Sequence, residues 1–429
     1  MKIPERILKT LPAAMFVCAG LATVAVLALL FDIREKKREA KRYPFKVVEI
    51  PAGETNPVIW GKNFAFEYDS YRKTEINYGR TKYGGSEPYS RLERDPVLKK
   101  LYAGYPFSVD YNEERGHHYA EIDQKRTERV KIVKQPGACL NCHTAQAPAM
   151  IQTLGWEAFN RGPFDSLSAM ARSGVSCSDC HDPETMDLVV TRPAFRNAMT
   201  ESGVDLAHAT RQDMRSYVCG QCHVEYYFKG ENKVLTFPWS RGRNIDSIEA
   251  HYAAYGFKDW IHKESGASLI KLQHPEFEMW GTGIHAKAGV SCADCHMPYV
   301  RQGSVKVSDH WVRSPLKHLE SCRQCHPVTE KELEERVLSI QDKTAELLRR
   351  TEAALSDAID AIASAGPRGA SDAELEKARG LHRAAQLRWD FVSSENSTGF
   401  HSPQEAARIL AVSVDLARRA QLKAATYKK

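Results

Sequence analysis

The sequence has 429 residues, which is long enough for two or more domains, and its formal net charge is +6. Hydrophobic residues make up 42% and charged residues 27%, which is ordinary for a globular protein. So mild a positive charge, without a basic stretch interleaved with aromatic residues, does not indicate a nucleic-acid partner.

A hydrophobic segment lies near the N-terminus. Residues 11–31 contain no charged side chain, follow Lys2, Arg6 and Lys9, and are numerous enough to span a bilayer. No small-residue cleavage pattern follows, so we expect an uncleaved membrane anchor, with a cleaved signal peptide as the alternative. The basic residues in 34–42 would favour a cytoplasmic location for the rest of the chain. The cysteine motifs that follow require the opposite location.

Five copies of the pattern CxxCH occur between residues 139 and 326, and they use ten of the eleven cysteines, leaving only Cys18. A zinc knuckle or a redox dithiol does not require the histidine that ends every copy. The pattern is that of covalent haem c attachment, in which two thioethers hold the porphyrin and the histidine binds the iron. The attachment residues are Cys139, Cys142, Cys177, Cys180, Cys219, Cys222, Cys292, Cys295, Cys322 and Cys325. The proximal ligands are His143, His181, His223, His296 and His326. The sequence therefore predicts five haem c groups and a periplasmic location.

The spacing of the motifs indicates the fold of the middle of the chain. Residues 44–138 carry no haem motif and are rich in aromatic residues and turns, and the segment with the motifs suits short helices and loops around haems. After Pro327 the sequence contains no cysteine and is dominated by alanine, leucine, glutamate and arginine. We therefore expect a mainly α fold, with a multihaem cytochrome c domain that has little sheet, followed by long C-terminal helices. The expected divisions are 1–43 for the anchor, 44–327 for the haem domain and 328–429 for the helical domain.

A long amphipathic helix is predicted at the start of that last segment. Apolar residues recur at steps of three and four between Leu333 and Ile362, and Thr329 with Glu332 forms a capping-box pattern before them. Two further helices are expected to open at Ser371 and Ser402. The apolar seam has two interpretations: packing within the chain, or a subunit interface that would make a homodimer.

Several longer motifs carry a resemblance to one enzyme family. Residues 219–228 read Cys-Gly-Gln-Cys-His-Val-Glu-Tyr-Tyr-Phe, and residues 271–276 read Lys-Leu-Gln-His-Pro-Glu. The other matching stretches are Ala103–Phe107, Arg115–His117, Asp309-His310 and Gly399–His401. In order and spacing, from about residue 55 to the C-terminus, the chain resembles the pentahaem cytochrome c nitrite reductases, which form ammonia.

The resemblance implies six-electron reduction of nitrite to ammonia at one haem c with an open iron, fed by four haems with two histidine ligands each. The distal ligands that it implies are His117 for the haem of Cys219, His310 for that of Cys177, His401 for that of Cys292 and His285 for that of Cys322. The reactive haem is then the one at Cys139–His143. Nothing in the sequence alone selects these four histidines from the eleven outside the motifs.

The resemblance also implies the residues around the reactive iron. The catalytic positions are Arg129, Tyr226 and His274, which suit the binding of an anion and the delivery of protons. A calcium ion would be bound by the side chains of Glu225 and Gln273 and by the carbonyls of Tyr226 and Lys271, a set of hard oxygen donors. Without the resemblance, Arg129 would be interpreted as a surface arginine.

One departure from the family concerns the proximal ligand. The best-known members have lysine where this chain has His143, whereas a subset has histidine there, so the difference bears on the potential and rate of the reactive haem. The resemblance implies hydroxylamine and sulfite as secondary substrates and a membrane quinol-oxidising multihaem cytochrome as electron donor, whereas the homodimer through Thr329–Ile362 is predicted from the apolar seam. The alternatives are an electron-carrying wire in which every iron has six ligands, and a multihaem hydroxylamine oxidase, which usually has more haems.

Overall fold

The structure is a computed structural model that describes residues 5–41, 46–76, 79–303 and 305–426. It divides into two compact units, Met1–Glu49 and Ile50–Lys429. The first unit is built on the helix Glu5–Lys41, of which Met15–Lys36 is long and apolar enough to cross a membrane. The described side chains of that helix are exposed, which fits the anchor predicted over 11–31; the side chains of 11–14 lie outside the described ones.

The second unit is mainly helical, as the sequence predicts. Its α-helices are Pro57–Gly61, Ala65–Tyr71, Lys73–Ile76, Arg91–Arg94, Leu98–Leu101, Ala120–Arg126, Arg129–Ile132, Leu140–His143, Ala147–Leu154, Trp156–Arg161, Phe164–Ser168, Pro193–Glu201, Arg211–Gly220, Ile245–Ala254, Glu276–Thr282, Ile284–Lys287, Cys292–His296, Glu320–Arg323, Glu330–Ala365, Asp372–Ser393 and Pro403–Ala425. Its 3-10 helices are Pro106–Ser108, His117–Tyr119, Gly137–Cys139, Cys177–Asp179, Leu206–His208 and Pro315–Lys317.

Sheet in the described residues is limited to antiparallel pairs of short strands. The pairs are Tyr89–Ser90 with Asn112–Glu113, Tyr227–Lys229 with Val234–Thr236, Trp260–Ile261 with Ser268–Leu269, and Tyr299–Gln302 with Val305–Ser308. Most connections are therefore loops and single helical turns, which is the local structure expected of a chain wrapped around haems.

The C-terminal helices begin where the sequence predicts. Thr329 and Glu332 form the capping box, with the Thr329 amide donating to Glu332 at 2.8 Å and the Glu332 amide donating to Thr329 Oγ1 at 3.2 Å. Ser371 caps the second helix in the same way. Ser402 precedes the third helix without a side-chain cap, and Pro403 supplies the first helical position instead.

The apolar seam of the first C-terminal helix packs within the chain. Leu355, Ala358 and Ile362 are fully buried, and the first two belong to a hydrophobic core that also contains Trp389 and Ile409 from the other two helices. The opposite, exposed face of the helix is charged. The C-terminal half of the seam therefore packs as core, whereas Val337 and Ile340 nearer its start stay half-buried, and the use of the seam as a subunit interface stays a prediction.

The same C-terminal helices hold the segment that contains the Lys-Leu-Gln-His-Pro-Glu motif. Asp390 lies fully buried, 3.0 Å from the Lys271 ammonium, and accepts hydrogen bonds from the Leu272 amide at 2.8 Å and the Tyr102 hydroxyl at 2.6 Å. Ser394 accepts a further hydrogen bond from Lys271 at 2.6 Å. Losing one partner of such a buried ion pair costs about 3–5 kcal/mol, so this network fixes the start of the motif.

Candidate active site around the first CxxCH motif

The cysteine motifs lie on short helical turns that pack against one another. The Cys222 side chain lies beside Cys142 of the first motif, and that of Cys219 lies beside Cys292 of the fourth. The fully buried Arg192 joins the first two motifs, since it donates to the Thr144 carbonyl at 3.1 Å and pairs with Asp179 at 2.5 Å. Cys322 of the fifth motif lies within electrostatic range of Cys295, so the five attachment points form one continuous arrangement.

The structure brings four pairs of histidines to the same separation. In each pair a proximal histidine faces one of the four distal positions that the resemblance implied, and the ring centres are 6.3 Å apart. The pairs are His223 with His117, His181 with His310, His296 with His401, and His326 with His285. Two metal–imidazole bonds of about 2 Å and two nitrogen-to-centre distances of about 1 Å give about 6 Å. The four pairs therefore fit an iron atom between their rings.

His143, the proximal histidine of the first motif, differs from the other four. Among the described residues, no histidine ring is paired with it. Its Nδ1 lies 3.0 Å from the Ala120 carbonyl oxygen, and Glu114 approaches the same nitrogen at 3.7 Å. A donated Nδ1–H leaves Nε2 as the nitrogen available to iron. The first motif is thus the one where a haem iron would have a face without a histidine.

The predicted catalytic residues gather at this first motif. Arg129 and Tyr226 both lie within electrostatic range of Cys139, and His274 lies within range of His143. Arg129 opens the short helix Arg129–Ile132. Its guanidinium donates to the Asp110 carbonyl at 3.0 Å and lies 4.3 Å from the centre of the Phe107 ring, which holds it in place.

Burial sets the charge states of two of these groups. It lowers the pKa of His274 to about 4, because a buried site disfavours the charged imidazolium. It raises the pKa of Tyr226 well above its ordinary value, because the phenolate is disfavoured in the same way. Near neutral pH the site thus contains a cationic Arg129, a neutral His274 and a protonated Tyr226, which can bind an anion and donate hydrogen bonds to it.

Three of the predicted calcium ligands are adjacent in the structure. The Glu225 carboxylate is 0% exposed and accepts hydrogen bonds from the Gln273 amide at 2.6 Å and the Tyr252 hydroxyl at 2.7 Å. The Gln273 side chain lies 3.0 Å from the Lys271 carbonyl. The side-chain amide of Gln273 has its nitrogen toward that carbonyl, so this group would have to flip and present its oxygen in order to bind a cation.

The electrostatics of Glu225 fit a cation at this place. Burial raises the pKa of its carboxyl well above the ordinary value, since a carboxylate is costly away from water unless it is paired. None of the ion pairs among the described residues involves Glu225, and the nearby Lys271 ammonium is bonded to Asp390 and Ser394 instead. Within that part of the chain no cluster of three or more His, Cys, Asp or Glu side chains could hold a metal. A calcium site built on one carboxylate and neutral oxygens would not form such a cluster.

Sequence reasoning missed several residues of this region. Tyr252 supports Glu225, and Glu278 accepts hydrogen bonds from the Glu225 amide at 3.1 Å and from Trp239 Nε1 at 2.8 Å. Tyr105, which stacks on Trp260 with ring centres 4.5 Å apart, lies within electrostatic range of Arg129 and Cys139. Tyr105 and Glu278 lie in or next to stretches that carry the resemblance, whereas no pattern in the sequence marks Tyr252.

Taken together, the fold and the site define a mainly helical multihaem c-type cytochrome in which the haem iron at His143 would have no second histidine ligand. The chain belongs to the cytochrome c552 family, whose family model matches residues 56–428.

Relatives of that family cover nearly the whole chain. Cytochrome c-552 from Bacteroides fragilis is 38% identical over 427 residues, which is 97% of this chain and 87% of the relative. Cytochrome c-552 from Porphyromonas gingivalis is 38% identical over 99% of this chain and 87% of the relative. Among solved structures, cytochrome c nitrite reductase from Desulfovibrio desulfuricans, described with two calcium sites in its catalytic subunit, has a TM-score of 0.85. It is 34% identical and covers 89% of this chain and 88% of its own.

Proposed function

We propose that this protein reduces nitrite to ammonia with six electrons, at the haem attached through Cys139 and Cys142. The observation that carries the proposal is that four proximal histidines have a distal histidine at 6.3 Å, whereas in the described residues His143 has none and Arg129, Tyr226 and His274 lie near its motif. The similarity to a cytochrome c nitrite reductase at 34% identity supports the same reaction.

The protein's own residues account for the handling of substrate and protons. The haem supplies the iron at which nitrite binds and the electrons that reduce it. Arg129 offsets the negative charge of nitrite, and its position is fixed by Asp110 and Phe107. Neutral His274 and the Tyr226 phenol donate hydrogen bonds to substrate oxygens and hold protons for the departing water.

Calcium is the second cofactor in the proposal. The ligands would be the Glu225 and Gln273 side chains and the carbonyls of Tyr226 and Lys271, a set that suits a hard cation. The ion would neutralise the buried Glu225 and fix the two chain segments that carry Tyr226 and His274. The two calcium sites of the Desulfovibrio desulfuricans structure support this part of the proposal.

The remaining haems form the route for electrons, with His117, His310, His401 and His285 as distal ligands. In this arrangement residues 44–327 hold every haem attachment site, and the helical segment 328–429 contributes His401.

A membrane quinol-oxidising multihaem cytochrome is the proposed electron donor. Residues 11–31 would tether the enzyme to the cytoplasmic membrane on its periplasmic side, and hydroxylamine and sulfite would be secondary substrates.

The direct test of this function is a turnover assay with reduced methyl viologen and nitrite. We expect one ammonia per nitrite and six viologen radicals oxidised for each, because no intermediate is released. Nitric oxide or hydroxylamine as the main product, or no nitrite consumption by the fully haem-loaded chain, would contradict the proposal. The hydroxylamine-oxidase alternative predicts nitrite formation from hydroxylamine with an oxidised acceptor instead.

We also propose a homodimer through residues 329–362 and the neighbouring helices. The contact would combine the half-buried seam residues Val337 and Ile340 with the exposed charged face of the helix, where Arg349 and Arg350 both pair with Glu346. At micromolar concentration in detergent, we expect sedimentation velocity to give the mass of two chains. The double variant Arg349→Glu/Arg350→Glu should shift the protein toward monomer, and the control Arg196→Glu, an exposed arginine on the helix Pro193–Glu201, should not. A monomeric unmodified chain would contradict the dimer.

A further inference from the structure

The proximal and distal histidines differ in what their second ring nitrogen contacts. In four of them Nδ1 lies at hydrogen-bonding distance from a main-chain carbonyl oxygen, which is a neutral acceptor. These are His143 with Ala120 at 3.0 Å, His181 with Met186 at 3.0 Å, His296 with Arg313 at 3.0 Å and His310 with Ser308 at 2.9 Å. A neutral acceptor orients the ring and leaves the histidine an ordinary imidazole donor to iron.

His401 departs from this pattern because a carboxylate is in direct contact with it, whereas the carboxylates of Glu114 and Glu276 stay 3.7 Å and 4.0 Å from Nδ1 of His143 and His223. The nearest group to its Nδ1 is a carboxylate oxygen, Oε1 of Glu395, at 2.5 Å. The oxygen lies off the line of the ring N–H, so the contact is an ion-pair approach and not a regular hydrogen bond. The partner of His401 at 6.3 Å is His296, which donates to a carbonyl. One side of this pair is therefore anionic and the other neutral.

The Glu395 carboxylate is fixed in this position. The residue is 2% exposed, and its carboxylate accepts hydrogen bonds from the Ser397 amide at 3.1 Å and the Ser397 hydroxyl at 2.8 Å. The His401 amide donates to the same hydroxyl at 2.9 Å, which ties both ends of the loop together. The loop joins the helices Asp372–Ser393 and Pro403–Ala425. Within the described residues His401 is the ion-pair partner of Glu395, so its charge acts mainly on that ring.

We propose that Glu395 lowers the midpoint potential of the haem attached through Cys292 and Cys295, by giving its distal ligand His401 partial imidazolate character. A carboxylate on the outer ring nitrogen increases the electron donation of the inner one, which stabilises ferric over ferrous iron. The inference rests on the proposed function, because it requires His401 to be the distal ligand. Glu395 is a positioning and tuning residue, since it acts through His401.

The consequence for the reaction lies in how electrons are distributed among the haems. A lowered potential makes a haem release an electron more readily, so Glu395 would favour the relay of electrons by the haem at Cys292 over their storage there. The loop around Glu395 also reaches the reactive site, because Asn396 donates to Glu276 at 2.6 Å, two residues from His274. A test must therefore separate a change in potential from a displaced loop.

The experiment is a spectroelectrochemical redox titration of the full chain with all haems attached. Glu395→Gln keeps the shape of the side chain and removes its charge, and we expect the midpoint of one haem to move upward while the others stay in place. Glu395→Asp keeps the charge and should shift the midpoint less than Glu395→Gln. Glu352→Gln is the matched control, since this buried carboxylate accepts from Trp389 Nε1 at 3.1 Å and should leave every midpoint unchanged. Unchanged or lowered midpoints in Glu395→Gln would overturn the proposal.

A second variant tests separately whether His401 is the distal ligand, which the role of Glu395 requires. His401→Ala should add one high-spin haem and remove one low-spin signal, and that signal identifies the haem expected to move in Glu395→Gln. If His401→Ala leaves every haem low-spin, His401 is not a ligand, and both the ligand assignment and the role of Glu395 are wrong. If His401→Ala adds the high-spin haem but Glu395→Gln moves no midpoint, the ligand assignment of His401 is correct and only the tuning role of Glu395 is wrong. If Glu395→Gln does not fold, Ser397→Ala, which frees the carboxylate from one donor, should shift the same midpoint.

Discussion

Replacing Arg129 or His274 with alanine is expected to lower nitrite turnover by a factor of about 10² or more, with all five haems still attached. Arg129 supplies the positive charge at the site, and His274 supplies a neutral donor that burial keeps unprotonated. The measurement is the viologen-linked rate, together with haem content from the pyridine haemochrome spectrum. Both losses should appear in the turnover number, because the two groups act on the reacting nitrite.

The matched control is Arg126→Ala, an exposed arginine on the neighbouring helix Ala120–Arg126, which should keep nearly full activity. It matches the change in net charge of Arg129→Ala without touching the first motif. Near-normal turnover in both Arg129→Ala and His274→Ala would show that these residues do not handle nitrite. A loss in Arg126→Ala as large as in Arg129→Ala would show that overall charge, and not position, is responsible.

Glu225→Gln is expected to weaken calcium binding at least tenfold and to lower turnover with it, about as much as the loss of a supporting ligand costs other metal sites. The substitution removes the one carboxylate of the proposed set. Metal analysis of the purified variant by mass spectrometry, together with turnover in added calcium, measures both effects. Because calcium fixes the segments that carry Tyr226 and His274, calcium added in excess should restore part of the activity.

The control for this prediction is Glu264→Gln, which changes an exposed glutamate in the loop before residues 271–276. This variant should keep both calcium and activity. A calcium-free unmodified protein with full activity would contradict the calcium site. Glu225 would then be a buried structural carboxylate held by Tyr252 and Gln273, and the positive charge of the site would come from Arg129.

Local features of the fold were predictable because they depend on neighbours in sequence. Thr329 and Glu332 are three residues apart, so the capping box and the start of the long helix could be predicted from that pattern alone. The same is true of the CxxCH motifs, where the cysteines and the histidine bind one haem. The partner of the apolar seam was not predictable, since periodicity shows that a face is apolar but not which helix covers it.

The arrangement of the site could not be predicted from residue chemistry alone, because it depends on which residues the fold brings together. His117 and His118 are adjacent in sequence and chemically alike, yet it is His117 whose ring lies 6.3 Å from His223. The resemblance implied the four pairs, but residue chemistry alone did not. Glu395 lies outside the motifs that carry the resemblance, and its approach to His401 depends on a turn that no local pattern indicates.

We propose that one iron, at His143, is open while the other four have two histidine ligands. Low-temperature electron paramagnetic resonance of the oxidised protein, with spins quantified per haem, tests it most directly. We expect one high-spin haem in five, and we expect nitrite or cyanide to change that signal and to leave the four low-spin signals intact. Five low-spin haems that do not respond to either ligand would contradict an open iron at His143 and would indicate an electron-carrying wire.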